Sequence, residues 1–281
     1  MEPDVSAPDV SVVVPVFDEE GAAPGLAREI AAAFAGRAFE LIFVNDASRD
    51  GTAAALGALR GEIPQLRLLA HAKNAGQSRA VRSGILAARA PIVVTLDGDG
   101  QNDPADAPRL VDHLAAGPPN VALVGGVRVK RQDSTAKKLA SRFANGVRQR
   151  LLHDTASDTG CGLKAMRREA FLRLPYFDHQ HRYLPALMIR EGYQVAFEPV
   201  GHRQRETGRS KYTNLGRLWV SFSDLNGVMW LNSRARHPGE VSELGRNASG
   251  QGAEHHRDDD QVKGAGEEGH ASSGGTRLAR R

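Results

Sequence analysis

The sequence predicts an α/β fold in which helices cover both faces of a mostly parallel central sheet. Apolar, β-branched runs of strand length alternate with segments of helical length between residues 10 and 100. These runs are apolar throughout, which is typical of strands that are buried on both faces of a parallel sheet. Acidic residues directly follow several of the runs, at the strand ends where open α/β sheets bind ligands.

Each element of this alternation can be assigned in order. Strands are predicted in VSVVVPVF, ELIFVND, LRLLAH and PIVVTLD, and the intervening helices in GLAREIAAAFA, DGTAAALGALRG and GQSRAVRSGILAARA. A helix over residues 104–116 and a strand in NVALVGGV continue the pattern. After residue 130 we predict a helix in TAKKLASRFANGVRQRLL, a loop in HDTASDTGCGLKAMRR, a helix near PALMIREG, a strand in YQVAFEPV and a basic loop in GHRQRETGRSKYT.

The predicted organisation has four parts. A tail over residues 1–9 precedes a globular domain over residues 10–213, and an amphipathic helix over residues 214–235 follows. This helix is predicted because apolar residues recur at helical spacing. Residues 236–281 are Gly, Ser, His and charged residues without apolar periodicity, so we expect them to be disordered.

Composition restricts the classes of protein. The chain has 281 residues, of which 41% are hydrophobic, so it can bury a core. Its single cysteine, Cys161, excludes an internal disulfide and fits a reducing compartment, and we interpret it as a packing residue. We find no signal peptide and no apolar run of membrane-spanning length, so a cytoplasmic protein is expected. Basic residues cluster between positions 128 and 217, which indicates an anionic partner.

Two aspartates separated by one residue end the fourth predicted strand, in VTLDGDGQNDP. Asp97 and Asp99 can both turn towards one hard cation, because Gly98 lets the backbone adopt unusual dihedrals. Mg²⁺ and Mn²⁺ prefer oxygen ligands and keep positions for substrate phosphates, and Gln101 adds a neutral oxygen. The segment taken alone predicts either a cation site for a diphosphate or an acidic turn in which Asp103 caps the next helix.

Further acidic residues follow the first two strands. Asp18 and Glu19 come after the first strand and Asp46 after the second, whereas Asp50 is expected to cap a helix. Several carboxylates at one edge of a sheet favour a binding site over a set of unrelated caps.

The order of these motifs resembles the family 2 glycosyltransferases of the GT-A fold. The blocks SVVVPVFDEE, VNDASRDGT and LDGDGQNDP match the family patterns VVPxYNE, DDGSxDGT and the DxD metal motif. The segments VRVKRQDS, SDTGCGLKAMRR and HRQRETGRSKY are similar to the polyprenyl-phosphate sugar transferases, a branch that includes dolichol-phosphate mannose synthase and undecaprenyl-phosphate sugar transferases. The resemblance covers roughly residues 10–235, and several ordered motifs are more specific than any single one.

The resemblance implies a role for each matching residue. Pro15, Phe17 and Glu19 would line the nucleoside pocket, and Asp46 would contact the base or the ribose. The remaining residues of the nucleotide-sugar site would be Asp97, Gly98, Asp99, Gly100, Gln101, Arg128, Arg205 and Lys211. The ligands of Mg²⁺ or Mn²⁺ would be Asp97, Asp99 and Gln101.

Cations would complete the site. Arg128 would lie near the sugar or the acceptor phosphate, and Arg205 and Lys211 match the loop H-x-x-R-x-x-G-x-S-K-Y, which closes over the diphosphate in the family. Asp158 is either an acceptor-side carboxylate or a loop cap. The implied catalytic residues are Asp99, Arg128, Asp158, Arg205 and Lys211.

Three positions depart from the family pattern. Asp18 stands for the usual Asn, Phe17 for the usual Tyr, and Asn45 for the first Asp of DDGS. Phe17 keeps a ring that can stack but lacks the hydroxyl, and Asn45 weakens the inference that both residues of its pair bind the nucleotide. The metal-binding pair is intact.

The implied reaction is metal-dependent, inverting transfer of a sugar from a GDP- or UDP-linked donor to a polyprenyl phosphate. The leaving diphosphate needs charge stabilisation, which a divalent ion and convergent Arg or Lys residues supply. An acceptor phosphate is largely ionised near neutral pH, so it needs little help from a general base. The sugar, the base, the prenyl chain length and the oligomeric state are not predicted.

The helix over residues 214–235 has two interpretations. Arg217 and Asp224 disfavour a membrane span, whereas Trp219 and Trp230 with flanking basic residues suit a helix at an anionic membrane surface. An ordinary core-packing helix is the alternative. With a polyprenyl acceptor, we expect a peripheral protein on the inner face of the cytoplasmic membrane.

Two other functions remain as alternatives. The first is a family 2 enzyme that acts on a soluble glycan, a small molecule or a protein, against which the H-x-x-R-x-x-G-x-S-K-Y loop argues. The second is a non-catalytic protein that binds membranes or nucleic acid through its basic patches. The intact DGDGQ segment argues against the second, so no nucleic-acid partner is expected.

Overall fold

The six strands predicted from apolar runs all lie in one seven-stranded sheet. The computed structural model describes residues 7–129, 146, 148–152, 154, 156, 158–203 and 214–236, with the side chains of 214–221 left undescribed. The strands are β1 (Val10–Val16), β2 (Phe39–Asn45), β3 (Leu66–Ala70), β4 (Ile92–Thr95), β5 (Val121–Arg128), β6 (Lys164–Arg167) and β7 (Gln194–Val200).

The sheet is mostly parallel, as predicted. Its strand order is β3-β2-β1-β4-β6-β5-β7. Only β6 runs against its neighbours, with Lys164 paired to Thr95 of β4 on one side and to Gly125 of β5 on the other. The prediction of a loop over this segment was wrong, because four residues with basic ends carry too little apolar pattern to indicate a strand.

Seven helices lie within the described residues. They are α1 (Ala23–Ala33), α2 (Thr52–Ala58), α3 (Gln77–Ala87), α4 (Ala107–Ala116), α5 (Arg168–Arg173), α6 (Leu184–Arg190) and α7 (Asn214–Ser233). A short 3₁₀ turn, Pro104–Asp106, precedes α4, and Asp103 accepts a hydrogen bond from the Ala105 amide at 3.1 Å. The predicted capping role of Asp103 is thereby confirmed.

Helices pack on both faces of the sheet. Val12 and Val14 of β1 belong to one apolar cluster, to which α1, α2 and α4 contribute. Val13 points to the other face and belongs to a second cluster with residues of α3, α5, α6 and α7. Successive side chains of a strand point to opposite faces, so burial on both faces explains why these strands are apolar throughout.

The helix α7 presents two kinds of surface. Val228 is fully buried, and Leu225, Met229 and Leu231 pack against the second cluster. In contrast, Phe222 and Trp230 are about three-fifths exposed. Among the described residues, no helix combines the length and the apolar character that a membrane span requires.

Several predicted segments lie wholly or mostly outside the described residues. These are the first six residues, most of the basic helix in TAKKLASRFANGVRQRLL, the basic loop after Arg203 and the tail after Arg236.

Candidate active site

The carboxyl ends of β2, β1 and β4 lie side by side, so the acidic residues that follow them share one edge of the sheet. β1 pairs in parallel with β2 on one side and with β4 on the other. Asp46 follows β2 directly, and Asp97 and Asp99 follow β4. In parallel α/β sheets such an edge is the usual ligand site.

The predicted metal motif, residues 97–101, is a tight turn held against β1. A Cβ atom at Gly98 would lie 2.5 Å from the carbonyl oxygen of Pro15, so only glycine fits there without displacement. Gly100 has a φ of 74°, in the left-handed region. The Gln101 amide donates to Asp99 Oδ1 at 3.2 Å, and the Asp97 amide donates to Asn102 Oδ1 at 2.9 Å.

The carboxylate of Asp97 is held by neighbours from two other segments. Gln77, at the start of α3, donates to its Oδ1 at 2.8 Å. On another side, a Cβ atom at Gly162 would come within 2.2 Å of its Oδ2, so the chain before β6 packs directly on this carboxylate. Burial raises the pKa of Asp97, the charge of Asp99 raises it further, and Lys164 opposes both effects.

This donor set fits a hard divalent cation. Two carboxylates that repel each other at a partly buried site are stabilised by a cation between them. Mg²⁺ is commonly held by one or two carboxylates together with water and substrate phosphates. Among the described residues, no group of three or more His, Cys, Asp or Glu side chains that could hold a metal ion is found.

Arg128 and Asp158 form a two-pronged ion pair. Arg128 Nε lies 2.7 Å from Asp158 Oδ2, and Nη2 lies 2.7 Å from Oδ1. Only 15% of the Arg128 side chain and 7% of the Asp158 side chain are exposed. Burial opposes the charge on Arg128, but the hydrogen bonds and charge of Asp158 outweigh it and raise the pKa of the guanidinium. The two residues were predicted separately, and the structure joins them; their roles in chemistry stay predictions.

Lys164 is a buried lysine that the sequence did not single out. It lies on β6, and its Nζ donates to the carbonyl oxygen of Cys161. Burial lowers the pKa of Lys164, whereas the nearby Cys161, Asp97 and Asp158 oppose this shift. A single lysine inside the otherwise apolar GLKAM was the only sequence signal for it.

Cys161 is a packing residue, as interpreted from the sequence. Its side chain is 1% exposed, and its Sγ lies 3.9 Å from the Leu163 carbonyl oxygen. Burial raises the pKa of the thiol, which disfavours the nucleophilic thiolate.

Asp46 anchors the loop that leads into α3. Its Oδ1 lies 2.6 Å from His71 Nδ1 and accepts from the Ala75 amide at 2.9 Å, while its Oδ2 accepts from the Gly76 amide at 2.8 Å. The residue is 3% exposed. The implied contact of Asp46 with the nucleoside stays a prediction, as do the roles of Pro15, Phe17 and Glu19.

The departures from the family pattern have a partial explanation. Asp18 has a φ of 53°, and Asp and Asn are the residues other than glycine that best tolerate this left-handed conformation. Its Oδ1 accepts from the Arg49 amide at 2.7 Å. Asp50 accepts from the Thr52 amide at 3.0 Å, but Gly51 is the N-cap residue of α2, so the prediction that Asp50 itself caps this helix was wrong by one position.

The basic loop begins beside the metal motif. His202 forms a β-bridge with Asn102, and the Arg203 amide donates to the Gln101 carbonyl oxygen at 2.9 Å. Arg205 and Lys211 lie outside the described residues, so their predicted contacts with the diphosphate are untested.

Comparisons with known proteins identify the family of the chain. The family model described as "Glycosyl transferase family 2" matches residues 11–174. Proteins named undecaprenyl-phosphate 4-deoxy-4-formamido-L-arabinose transferase, from Pseudomonas aeruginosa and Sodalis glossinidius, are 36% identical over 217 and 208 residues, or 76% and 73% of this chain. The chain spans 63% of the length of each of these relatives.

Solved structures confirm the fold class. A glucosyl-3-phosphoglycerate synthase from Mycobacterium tuberculosis matches with a TM-score of 0.60 at 18% identity, covering 83% of this chain and 82% of its own. A mannosyltransferase from Pyrobaculum calidifontis, solved with GDP-mannose and Mn²⁺, matches with a TM-score of 0.58 at 19% identity. The match covers 83% of this chain and 66% of the mannosyltransferase. The predicted GT-A fold is confirmed.

Proposed function

Because this chain belongs to glycosyltransferase family 2, we propose that it transfers a sugar from a nucleotide-linked donor to a polyprenyl phosphate, with inversion at the anomeric carbon. The observation that carries the proposal is the carboxylate pair Asp97 and Asp99 at the end of β4, near the buried Arg128. The names of the relatives from Pseudomonas and Sodalis support the class of acceptor.

The donor half of the site holds the diphosphate. Asp97, Asp99 and Gln101 would bind Mg²⁺ or Mn²⁺, which when bound neutralises charge on the leaving diphosphate. Gln77 and Gly162 fix the position of the Asp97 carboxylate, so the site does not have to reorganise during the reaction. Arg205 and Lys211 add positive charge from the basic loop.

The acceptor half of the site needs cations more than a base. The ionised phosphate oxygen of the acceptor attacks the anomeric carbon, and the bond from that carbon to the diphosphate breaks, so the diphosphate leaves with the electron pair. Arg128 offsets the repulsion between the two phosphate groups. The ion pair with Asp158 uses Nε and Nη2. Nη1 would then donate to a phosphate oxygen.

The transfer takes place at the cytoplasmic surface of a membrane. The helix α7 rests on the domain through Val228 and presents Phe222 and Trp230 outwards. Such aromatic residues suit the interface between lipid and water, and the basic segment before α7 suits anionic headgroups. The helix thus combines the two roles that the sequence left as alternatives.

A panel of sugar nucleotides tests this function. The protein is incubated with Mn²⁺, with each GDP- or UDP-linked sugar, and with polyprenyl phosphate or one of several soluble acceptors, and products are detected by mass. We expect glycosylated polyprenyl phosphate from at least one donor. If product forms only on soluble acceptors, the proposed function is wrong and the soluble-acceptor alternative is supported.

A further inference from the structure

The loop between α5 and α6 touches the first turn of α3 on both sides of Gln77. Asp178 lies beside Gly76, where a Cβ atom would come within 3.5 Å of its Oδ1. His181 Nδ1 lies 2.6 Å from the Ser78 hydroxyl oxygen, which also accepts from the His181 amide at 3.3 Å. Between these two contacts, Gln77 donates to the first carboxylate of the metal motif at 2.8 Å. The loop therefore lies against the turn of α3 that carries Gln77.

The same loop is tied to α7 through His179. The Nδ1 atom of His179 lies 3.0 Å from Asp224 Oδ2, and its Nε2 lies 3.8 Å from Asp178 Oδ2. His179 has a φ of 61° in the left-handed region, which residues with a Cβ atom avoid. A strained conformation of this kind persists where surrounding contacts hold it, and such positions concentrate at functional sites.

The charges around the loop between α5 and α6 are consistent with a loop that is held in one position. Burial lowers the pKa of His181 well below its usual value, so this ring is neutral and bonds Ser78 as a hydrogen-bond partner rather than as a charge. Burial raises the pKa of Asp224. The neighbouring His179 lowers this pKa, and the charge of Asp178 raises it further. His179 thus lies between two carboxylates, and its pairing with Asp224 joins the loop to α7.

We propose that His179 is a positioning residue that couples α7 to the metal motif. Its 3.0 Å contact with Asp224 holds residues 178–181 against the start of α3, and α3 in turn holds Gln77 on Asp97. His179 itself touches no reacting atom. The coupling would let the packing of α7 on the domain set the geometry of the donor site. This inference extends the proposed function, and its nucleotide-binding test rests on that function.

Hydrogen exchange tests the coupling without any substrate. In Asp224→Asn, we expect peptides covering residues 75–79 and 177–183 to exchange faster than in the wild type, while peptides of β1 stay unchanged. Faster exchange restricted to α7 would overturn the proposal, because the loop and α3 would then be independent of the helix.

Nucleotide binding gives a second, independent test. GDP and UDP are titrated with Mn²⁺ into the wild type, His179→Asn, Asp224→Asn and the double variant; asparagine tolerates the left-handed backbone but carries no charge. We expect binding of the nucleotide to weaken by about 3- to 30-fold in each single variant, the range typical of residues in a coupling network. The double variant should be no worse than either single variant, because the pair acts as a unit.

A matched control distinguishes weaker nucleotide binding caused by lost coupling from weaker binding caused by a change in surface charge. Glu169→Gln removes an exposed carboxylate that pairs with Arg173 on α5, and it should bind nucleotide like the wild type. Wild-type binding in both single variants, or additive losses in the double variant, would overturn the coupling. A wild type that binds neither nucleotide would instead contradict the proposed function, and the exchange result would still decide the coupling.

Discussion

Replacing Gly162 with alanine would press directly on the carboxylate of Asp97, a proposed metal ligand. The added Cβ atom would lie 2.2 Å from Asp97 Oδ2, 2.3 Å from Cγ and 2.4 Å from Oδ1. Rotation of the carboxyl group cannot relieve three such contacts at once, so the group has to move by about 1 Å to reach ordinary van der Waals separation. Gln77 and the backbone contact to Asn102 restrain that movement.

The displacement sets the size of the expected effect. A misplacement of about 1 Å in a catalytic arrangement can cost roughly 100-fold in rate. We therefore expect Gly162→Ala to lower turnover by about two orders of magnitude and to weaken Mn²⁺ binding. The crowding should also lower the free energy of unfolding by about 1–3 kcal/mol, as overpacking does elsewhere.

Two other glycines serve as controls for Gly162→Ala. A Cβ atom at Gly84 on α3 would lie 2.3 Å from Val13 Cγ1 in the core, so Gly84→Ala should lose stability without a change in Mn²⁺ affinity. At Gly57 in α2 nothing lies within 4 Å, and alanine should stabilise the helix by about 0.5–1 kcal/mol. The assay combines initial rates over a range of Mn²⁺ concentrations with thermal unfolding. If Gly162→Ala only loses stability, as Gly84→Ala does, and keeps a rate within about threefold of the wild type, the assignment of Asp97 as a positioned ligand is refuted.

Three further predictions concern the basic loop, the acid stability and α7. Arg205→Ala and Lys211→Ala should each slow transfer by about 10²- to 10³-fold with an unchanged melting temperature, and wild-type rates would place the diphosphate elsewhere. Burial opposes the charge of Glu40, but hydrogen bonds and a nearby arginine outweigh it and lower its pKa, so its stabilisation is present above about pH 4.5 and is lost as the pH falls. Glu40→Gln should cost about 2–3 kcal/mol at pH 7 and flatten this acid dependence in thermal melts; an unchanged pH profile would contradict the assignment. The double variant Phe222→Glu, Trp230→Glu should stay folded but lose flotation with anionic liposomes, whereas unfolding would indicate that these side chains pack in the core.

The sequence predicted best those features that are formed by residues close together along the chain. The apolar runs predicted six of the seven strands, and the spacing of Asp97 and Asp99 predicts a metal site because its residues are contiguous. The pairing of Arg128 with Asp158 joins residues thirty positions apart, and local periodicity carries no information about such a contact.

Other features of the site had almost no signal in the sequence. Gln77 is a neutral amide twenty positions before the aspartate that it contacts. Lys164 lies on a four-residue strand that gains its stability from pairing on both sides rather than from its own pattern. The role of Gly162 depends on a close approach that only the folded chain reveals.

Transfer to polyprenyl phosphate with and without metal tests the central claim most directly. Wild type and Asp99→Asn are compared with the active sugar nucleotide, in Mn²⁺ and in excess chelator, and the glycosylated lipid is measured by mass. We predict product only for the wild type with metal, and a folded Asp99→Asn with most of its turnover lost, because Asp97 and Asp99 bind the cation together. Full activity of the wild type in excess chelator, or of Asp99→Asn in Mn²⁺, would contradict this account of the site.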